Sequence, residues 1–216
     1  MKRAKLQWLA IAVVVIIVVS GLTVWFLGTV PIANKIRVAC VGDSITEGTL
    51  YPKDLGALFG ANYSVGNFGI GLAAVNLNSE KPYMNQTVFS NAKASSPNIV
   101  IIMLGTNDAI PSYQQYLGNF NDDYKKLIGE FEALPNKPKI WLVVPPQIFN
   151  DSLGTNSTIL TQMVIPRIRQ VAYELNLPII DLYPALANHP EYFSDGVHPN
   201  VEGSSVIAAK IYESIK

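Results

Sequence analysis

At 216 residues the chain suits one ordinary domain, with a core large enough to fold without disulfides or metals. Its 16 Lys and Arg cancel its 16 Asp and Glu, and with no basic stripe along the chain this argues against an electrostatic nucleic-acid binder. Cys40 is the only cysteine, which rules out an intrachain disulfide, and its place in an apolar run marks an inert buried thiol.

The apolar excess is concentrated at the N-terminus. Residues 6–27 carry no charge and, at about 1.5 Å per residue, reach roughly 30 Å, the thickness of a bilayer's hydrocarbon core. Lys2, Arg3 and Lys5 precede the run, and Trp8 and Trp25 stand near its ends, where amphipathic rings favour the interface. Residues 1–28 are therefore expected to be an uncleaved membrane anchor, with the N-terminus cytoplasmic and the rest of the chain outside. A cleaved signal peptide is the competing reading and puts the domain in the same external compartment, although no clear A-x-A site follows the run. Sequons at Asn62, Asn85, Asn150 and Asn156 are compatible with that location.

After a linker over 29–35, which contains Pro31, short β-like runs alternate with helical stretches. Residues 36–41 read as a buried strand that ends at Gly42-Asp43-Ser44. Residues 51–59 read as a helix stopped by Gly60, and 63–67 as a second strand before the turn Gly69-Ile70-Gly71. Residues 98–104 are apolar throughout and rich in β-branched side chains, the mark of a strand covered on both faces. A long amphipathic helix is predicted over 113–134, a strand over 139–144, and a helical stretch over 159–175 in which Pro166 starts a new helix or kinks the old one. A short strand over 178–182 and a C-terminal helix over 201–215 complete the pattern. Such alternation implies βαβ units and a parallel sheet with helices on both faces, where ligands collect beyond the carboxyl ends of the strands.

Three segments at those ends bear chemistry. Ser44 is a candidate nucleophile, and Asp195-Gly196-Val197-His198 supplies a carboxylate and an imidazole three residues apart. A serine hydroxyl needs a base to take its proton, and that base needs a third group to orient it. Gly105-Thr106-Asn107-Asp108 follows the strand over 98–104. Singly these pieces are common: a Gly-Asp-Ser is usually a turn, and a Gly-Thr-Asn-Asp usually a helix cap. Their order along one chain is what carries information.

That order resembles the SGNH, or GDSL-type, hydrolase superfamily. Gly42-Asp43-Ser44-Ile45-Thr46 is similar to its first block, Gly105-Thr106-Asn107-Asp108 to its third, and Asp195-Gly196-Val197-His198-Pro199-Asn200 to its last. With the second block, the likeness spans residues 36–216. It implies a flavodoxin-like three-layer α/β/α sandwich around a parallel five-stranded sheet, with no cofactor. It further implies Ser44 as nucleophile, His198 as general base and then acid, and Asp195 as the group that orients it. The oxyanion hole it implies uses the Ser44 N–H, a second-block backbone N–H and the Asn107 side-chain amide. The second block is irregular: the family pattern Asn-Phe-Gly-Val-Ser-Gly-Ala-Thr is replaced by Asn67-Phe68-Gly69-Ile70-Gly71-Leu72-Ala73-Ala74. Strict spacing puts Leu72 at the donor position and a one-residue shortening puts Gly71 there; Gly71 is preferred, since a side chain could distort the turn.

Other chemistries lack support. His189, Asp195 and His198 form no compact metal-ligand set, and there is no G-x-S-x-G elbow, G-x-G-x-x-G or P-loop. His189 is read as a structural loop residue. The expected protein is a membrane-anchored external serine esterase that removes short acyl groups, acetyl foremost, from carbohydrate. A lysophospholipase or thioesterase is the alternative within the enzyme class, and a non-catalytic binding module keeping the same fold lies outside it.

Overall fold

The computed structural model describes residues 35–150 and 153–216. The anchor predicted over 1–28 and the linker as far as Asn34 lie outside the described residues. Among the described residues no helix is long and apolar enough to cross a membrane.

The five apolar runs form β1 (Ile36–Gly42), β2 (Tyr63–Gly69), β3 (Ile99–Met103), β4 (Lys139–Val144) and β5 (Ile179–Asp181). All neighbours are parallel, in the order β2-β1-β3-β4-β5, which is the flavodoxin-like arrangement. Alternation along each strand divides the core between two faces. Ala39, Val41, Val100, Ile102, Leu142 and Val144 point to one; Val38, Cys40, Ile101, Met103 and Val143 point to the other. Both faces are covered, so the central strands tolerate no polar side chain. Burial pushes the Cys40 thiol up to about 12, which leaves it protonated and unreactive at neutral pH.

Short helix α1 (Ser44–Gly48) leaves the end of β1, and α2 (Tyr51–Phe59) follows it. On the first face lie α3 (Thr87–Ala94), α4 (Phe120–Glu132) and α5 (Ile165–Glu174). In α4 the buried Phe120, Tyr124, Leu127, Ile128 and Phe131 recur at helical spacing, and each such side chain contributes about 1.5–3 kcal/mol when fully buried. On the second face α2 lies with the C-terminal helix α6 (Val201–Ile215), which buries Ile207, Ala208 and Ile211.

Two local expectations are corrected, and a third is borne out, with Pro166 at the start of a new helix. The single helix expected over 113–134 is a 3₁₀ segment, Pro111–Asn119, followed by α4. Tyr113 and Leu117 keep facing the core, so the apolar period runs across the junction and hides the break before Phe120. The helix Thr87–Ala94 was not anticipated, because it buries only Phe89 and Ala92 and its period is too sparse to read. Before Pro166 the chain forms a π-helical turn, Leu160–Val164, and Pro166 then sits in the first turn of α5, where a missing N–H costs nothing.

Candidate active site

Register places the site. Gly42, the last residue of β1, pairs with Gly69 of β2 on one side and with Met103 of β3 on the other. The segments that leave these three strands therefore start level with one another. They carry Ser44, the turn after Gly69, and Asn107.

Asp43 caps α1, its Oδ1 accepting the Ile45 N–H at 2.9 Å, so Ser44 is fixed at the first helical position. Asp43 itself is 1% exposed, and burial pushes its carboxyl up to about 7, against the opposing pull of the Ile45 N–H.

The fourth segment comes from beyond the far edge of the sheet. After β5 the chain turns back, and the bridge between Phe193 and Pro199 closes a narrow loop holding Asp195 and His198. Asn200 then caps α6, its Oδ1 accepting the Gly203 N–H at 3.0 Å. Because α6 packs beside α2, its N-terminal end arrives next to α1, where the Leu50 N–H donates to Ser204 Oγ at 3.4 Å.

Within that loop Asp195 uses its two oxygens differently. Oδ1 accepts the backbone N–H groups of Val197 at 2.9 Å and His198 at 2.7 Å; Oδ2 meets His198 Nδ1 at 2.7 Å. Burial works against the charged carboxylate, yet these donors together hold the Asp195 carboxyl below the usual value. A carboxylate on Nδ1 fixes the proton there and leaves Nε2 as an acceptor. Nε2 lies 2.7 Å from Ser44 Oγ, so the serine hydroxyl donates to it. The side chains of His198 and Asp195 are 34% and 38% exposed, open enough for a substrate or a water to reach them.

Asn107 begins a 3₁₀ turn after β3 and is 5% exposed. Its Nδ2 donates to the Ala73 carbonyl at 2.9 Å, which spends one of the amide's two hydrogens and leaves the second. The following Asp108 is fully buried and accepts the N–H groups of Val75 and Asn76, both at 2.9 Å. Burial pushes its carboxyl up to about 6, against those two N–H donors. Asn107 thus fastens the end of the second block and Asp108 the two residues that follow it, a role the sequence reading did not assign to Asp108.

The second block differs from expectation. The Gly71 N–H donates to Glu47 Oε2 at 2.7 Å, so the preferred backbone donor already has an acceptor within the protein. Leu72 follows at φ +64 and is 64% exposed. Nothing in the sequence reading marked Glu47; its position one turn along α1 from the candidate nucleophile was the available signal. His189 stands apart from this cluster, its Nδ1 2.8 Å from Glu191 Oε1 and its ring stacked on Tyr192 at 4.6 Å. Among the described residues no group of three His, Cys, Asp or Glu could hold a metal ion.

Comparison with known proteins gives one consistent family. Residues 40–206 match the GDSL-like lipase/acylhydrolase family. The chain is 34% identical over 212 residues to an acetylxylan esterase of Xylanibacter ruminicola, a match covering 86% of this chain but 44% of that protein. The chain thus spans less than half the length of that relative. Among solved structures, the carbohydrate acetylesterase Est24 of Sinorhizobium meliloti superposes with a TM-score of 0.67 at 19% identity, covering 84% of this chain and 98% of that one. The acetyl xylan esterase AlAXEase gives 0.66 at 23% identity, covering 84% and 100%. At these identities the two structures speak for the fold.

Proposed function

The chain belongs to the GDSL-like lipase/acylhydrolase family, and from that premise we propose that it is a serine carboxylic ester hydrolase acting on short acyl esters of carbohydrate, acetyl foremost. The observation that carries the reading is the continuous relay from Ser44 Oγ through the His198 ring to Asp195, with 2.7 Å at each step. The 34% identity to an acetylxylan esterase supports the substrate class.

In this mechanism Ser44 Oγ attacks the ester carbonyl as His198 Nε2 takes its proton. Asp195 holds the ring in the tautomer that can accept and stabilises the imidazolium that forms. The tetrahedral oxygen is met by the Ser44 N–H, the second Asn107 amide hydrogen and a backbone N–H of the second block. His198 returns its proton to the leaving alkoxide, giving the free sugar hydroxyl and an acyl-serine. A water deprotonated by His198 then attacks that acyl-serine, releasing the carboxylic acid and restoring Ser44. The apolar run over 6–27 supports anchoring of this domain at the external face of a membrane.

The test is hydrolysis of p-nitrophenyl esters of increasing chain length and of acetylated xylan, with Ser44→Ala alongside. Ser44-dependent turnover that falls with acyl length, with acetate released from the polymer, is the expected result. A preference for long chains would select the lysophospholipase or thioesterase alternative, and no Ser44-dependent hydrolysis of any ester would leave a binding module. Partition of the full chain into the membrane fraction, and its release on deletion of residues 1–28, checks the anchor.

A further inference from the structure

We infer that Glu47 is a positioning residue of the oxyanion hole, committing the Leu72 N–H, rather than that of Gly71, to the substrate oxygen. The inference rests on the esterase reading above. Glu47 is the point where the nucleophile's helix and the second block are joined. The side chain of Asn67 donates to the carbonyls of Thr46 at 2.7 Å and Glu47 at 3.3 Å, and Asn67 Oδ1 accepts the Gly69 N–H at 2.9 Å. Gly69 lies so close that a Cβ there would overlap the backbone nitrogen of Glu47. The Glu47 carboxylate then reaches over the turn to take the Gly71 N–H. A Cβ built on Gly71 would stand 3.1 Å from Glu47 Oε2 and 3.9 Å from Ser44 Cβ, so carboxylate and nucleophile flank the same glycine.

This fastening accounts for the strain next to it. Leu72 holds a left-handed backbone, at φ +64, that is strained for a non-glycine residue and persists only where the surroundings over-determine it. Both neighbours are tied. Gly71 is held through its N–H by Glu47; Ala73 is held through its N–H, which donates to the Ile70 carbonyl at 3.3 Å, and through its own carbonyl, which accepts from Asn107. Among the described residues the Leu72 N–H has no acceptor. Between two fastened amides it is the free donor of the turn, held by Asn107 on one side and by Glu47 on the other. A preorganised donor of this kind raises turnover because it need not reorganise as charge develops.

The experiment compares Glu47→Ala with Glu47→Gln in the full chain, by p-nitrophenyl acetate kinetics and by amide hydrogen exchange. Glu47→Gln keeps a neutral oxygen acceptor for the Gly71 N–H; Glu47→Ala removes it. The expected result is a kcat about tenfold lower or more in Glu47→Ala, a fraction of the about 10²–10³ lost when a donor is deleted outright. KM should change little, and Glu47→Gln should recover most of kcat. Exchange at the Gly71 amide should be slower than at Leu72 in the wild type and in Glu47→Gln, and should speed up in Glu47→Ala. An unchanged or raised kcat in Glu47→Ala would overturn the inference, the raised value meaning that the carboxylate plugs the site. Equal losses in the Ala and Gln variants would overturn it too, since charge and not acceptance would then matter. If the wild type shows no Ser44-dependent turnover, the esterase reading falls and takes the catalytic role of Glu47 with it. Gly71 exchange still judges the clamp separately, and equal exchange with and without the carboxylate overturns that as well.

Discussion

The loop that holds Asp195 and His198 and the turn that runs from Gly69 to Ala73 both end at Ser44, yet they are built differently. In the loop, one carboxylate satisfies two backbone N–H groups and the imidazole at once, so the groups that act also hold the loop in shape. In the turn, the shape is imposed largely from outside: Glu47 of α1 takes the Gly71 N–H and Asn107 after β3 donates to the Ala73 carbonyl, while Asp108 holds Val75 and Asn76 just beyond it. Apart from the bond that the Phe149 N–H donates from outside to the Gly196 carbonyl at 2.8 Å, such a loop is carried by a short stretch of sequence. A turn held by two other segments can vary in its own sequence, as the irregular second block does, while its hydrogen-bond geometry is kept by residues elsewhere.

The sharpest way to break the contrast is Asp195→Asn. Its oxygen still accepts the two backbone N–H groups, so the loop should keep its shape and the melting temperature should stay near wild type. The amide NH₂ would face Nδ1 and force the wrong tautomer, so kcat should fall by about 10³–10⁴-fold. A large fall in melting temperature instead would show that the loop needs the charged carboxylate for its fold. Asn107→Ala comes next. It removes an oxyanion donor and the bond to the Ala73 carbonyl together, and should lower kcat by about 10²–10³-fold. Unchanged turnover would remove Asn107 from the mechanism and leave it as a strut.

The Glu47→Ala loss described above is smaller again, because only the geometry of a donor is disturbed. Combining it with Asn107→Ala sharpens the comparison. Both act on one turn, so their effects on kcat should add to less than the sum of the separate losses, whereas Glu47→Ala should add independently to a change at the distant His189.

The effect furthest from turnover concerns the supports themselves. Burial raises the carboxyls of Asp43 and Asp108 in the folded state, to about 7 and about 6. For an acid whose folded value lies above the unfolded one, the folded state binds more protons between the two values. These groups therefore stabilise the fold at low pH and lose that contribution as pH rises from about 4 towards 7. Asp43→Asn, which keeps an oxygen for the Ile45 N–H, should flatten that fall. Melting curves from pH 4 to pH 8 test it, and parallel curves for wild type and variant would show that Asp43 titrates alike in both states.

How much of this was legible in the chain varies by element. The strand over 98–104 was readable because a run buried on both faces has no polar residue to confuse its period, and the structure keeps it as Ile99–Met103. The fivefold alternation gave the parallel sheet for the same reason. Helix Thr87–Ala94 was not readable, since two buried side chains do not make a stripe. In the site, Ser44, Asn107, Asp195 and His198 could be named because side-chain chemistry is written in residue identity. The choice between the amides of Gly71 and Leu72 could not, because every residue but proline offers the same N–H.

Sequence alone determined which groups can bear charge, give a proton or fill a strand, since those properties belong to each side chain wherever it sits. Tertiary structure decided which backbone amide is left without a partner, how far burial lifts Asp43 and Asp108, and that Glu47 reaches Gly71. Each of those depends on distances between segments brought level by the register of β1 with β2 and β3, and no residue carries such a distance by itself.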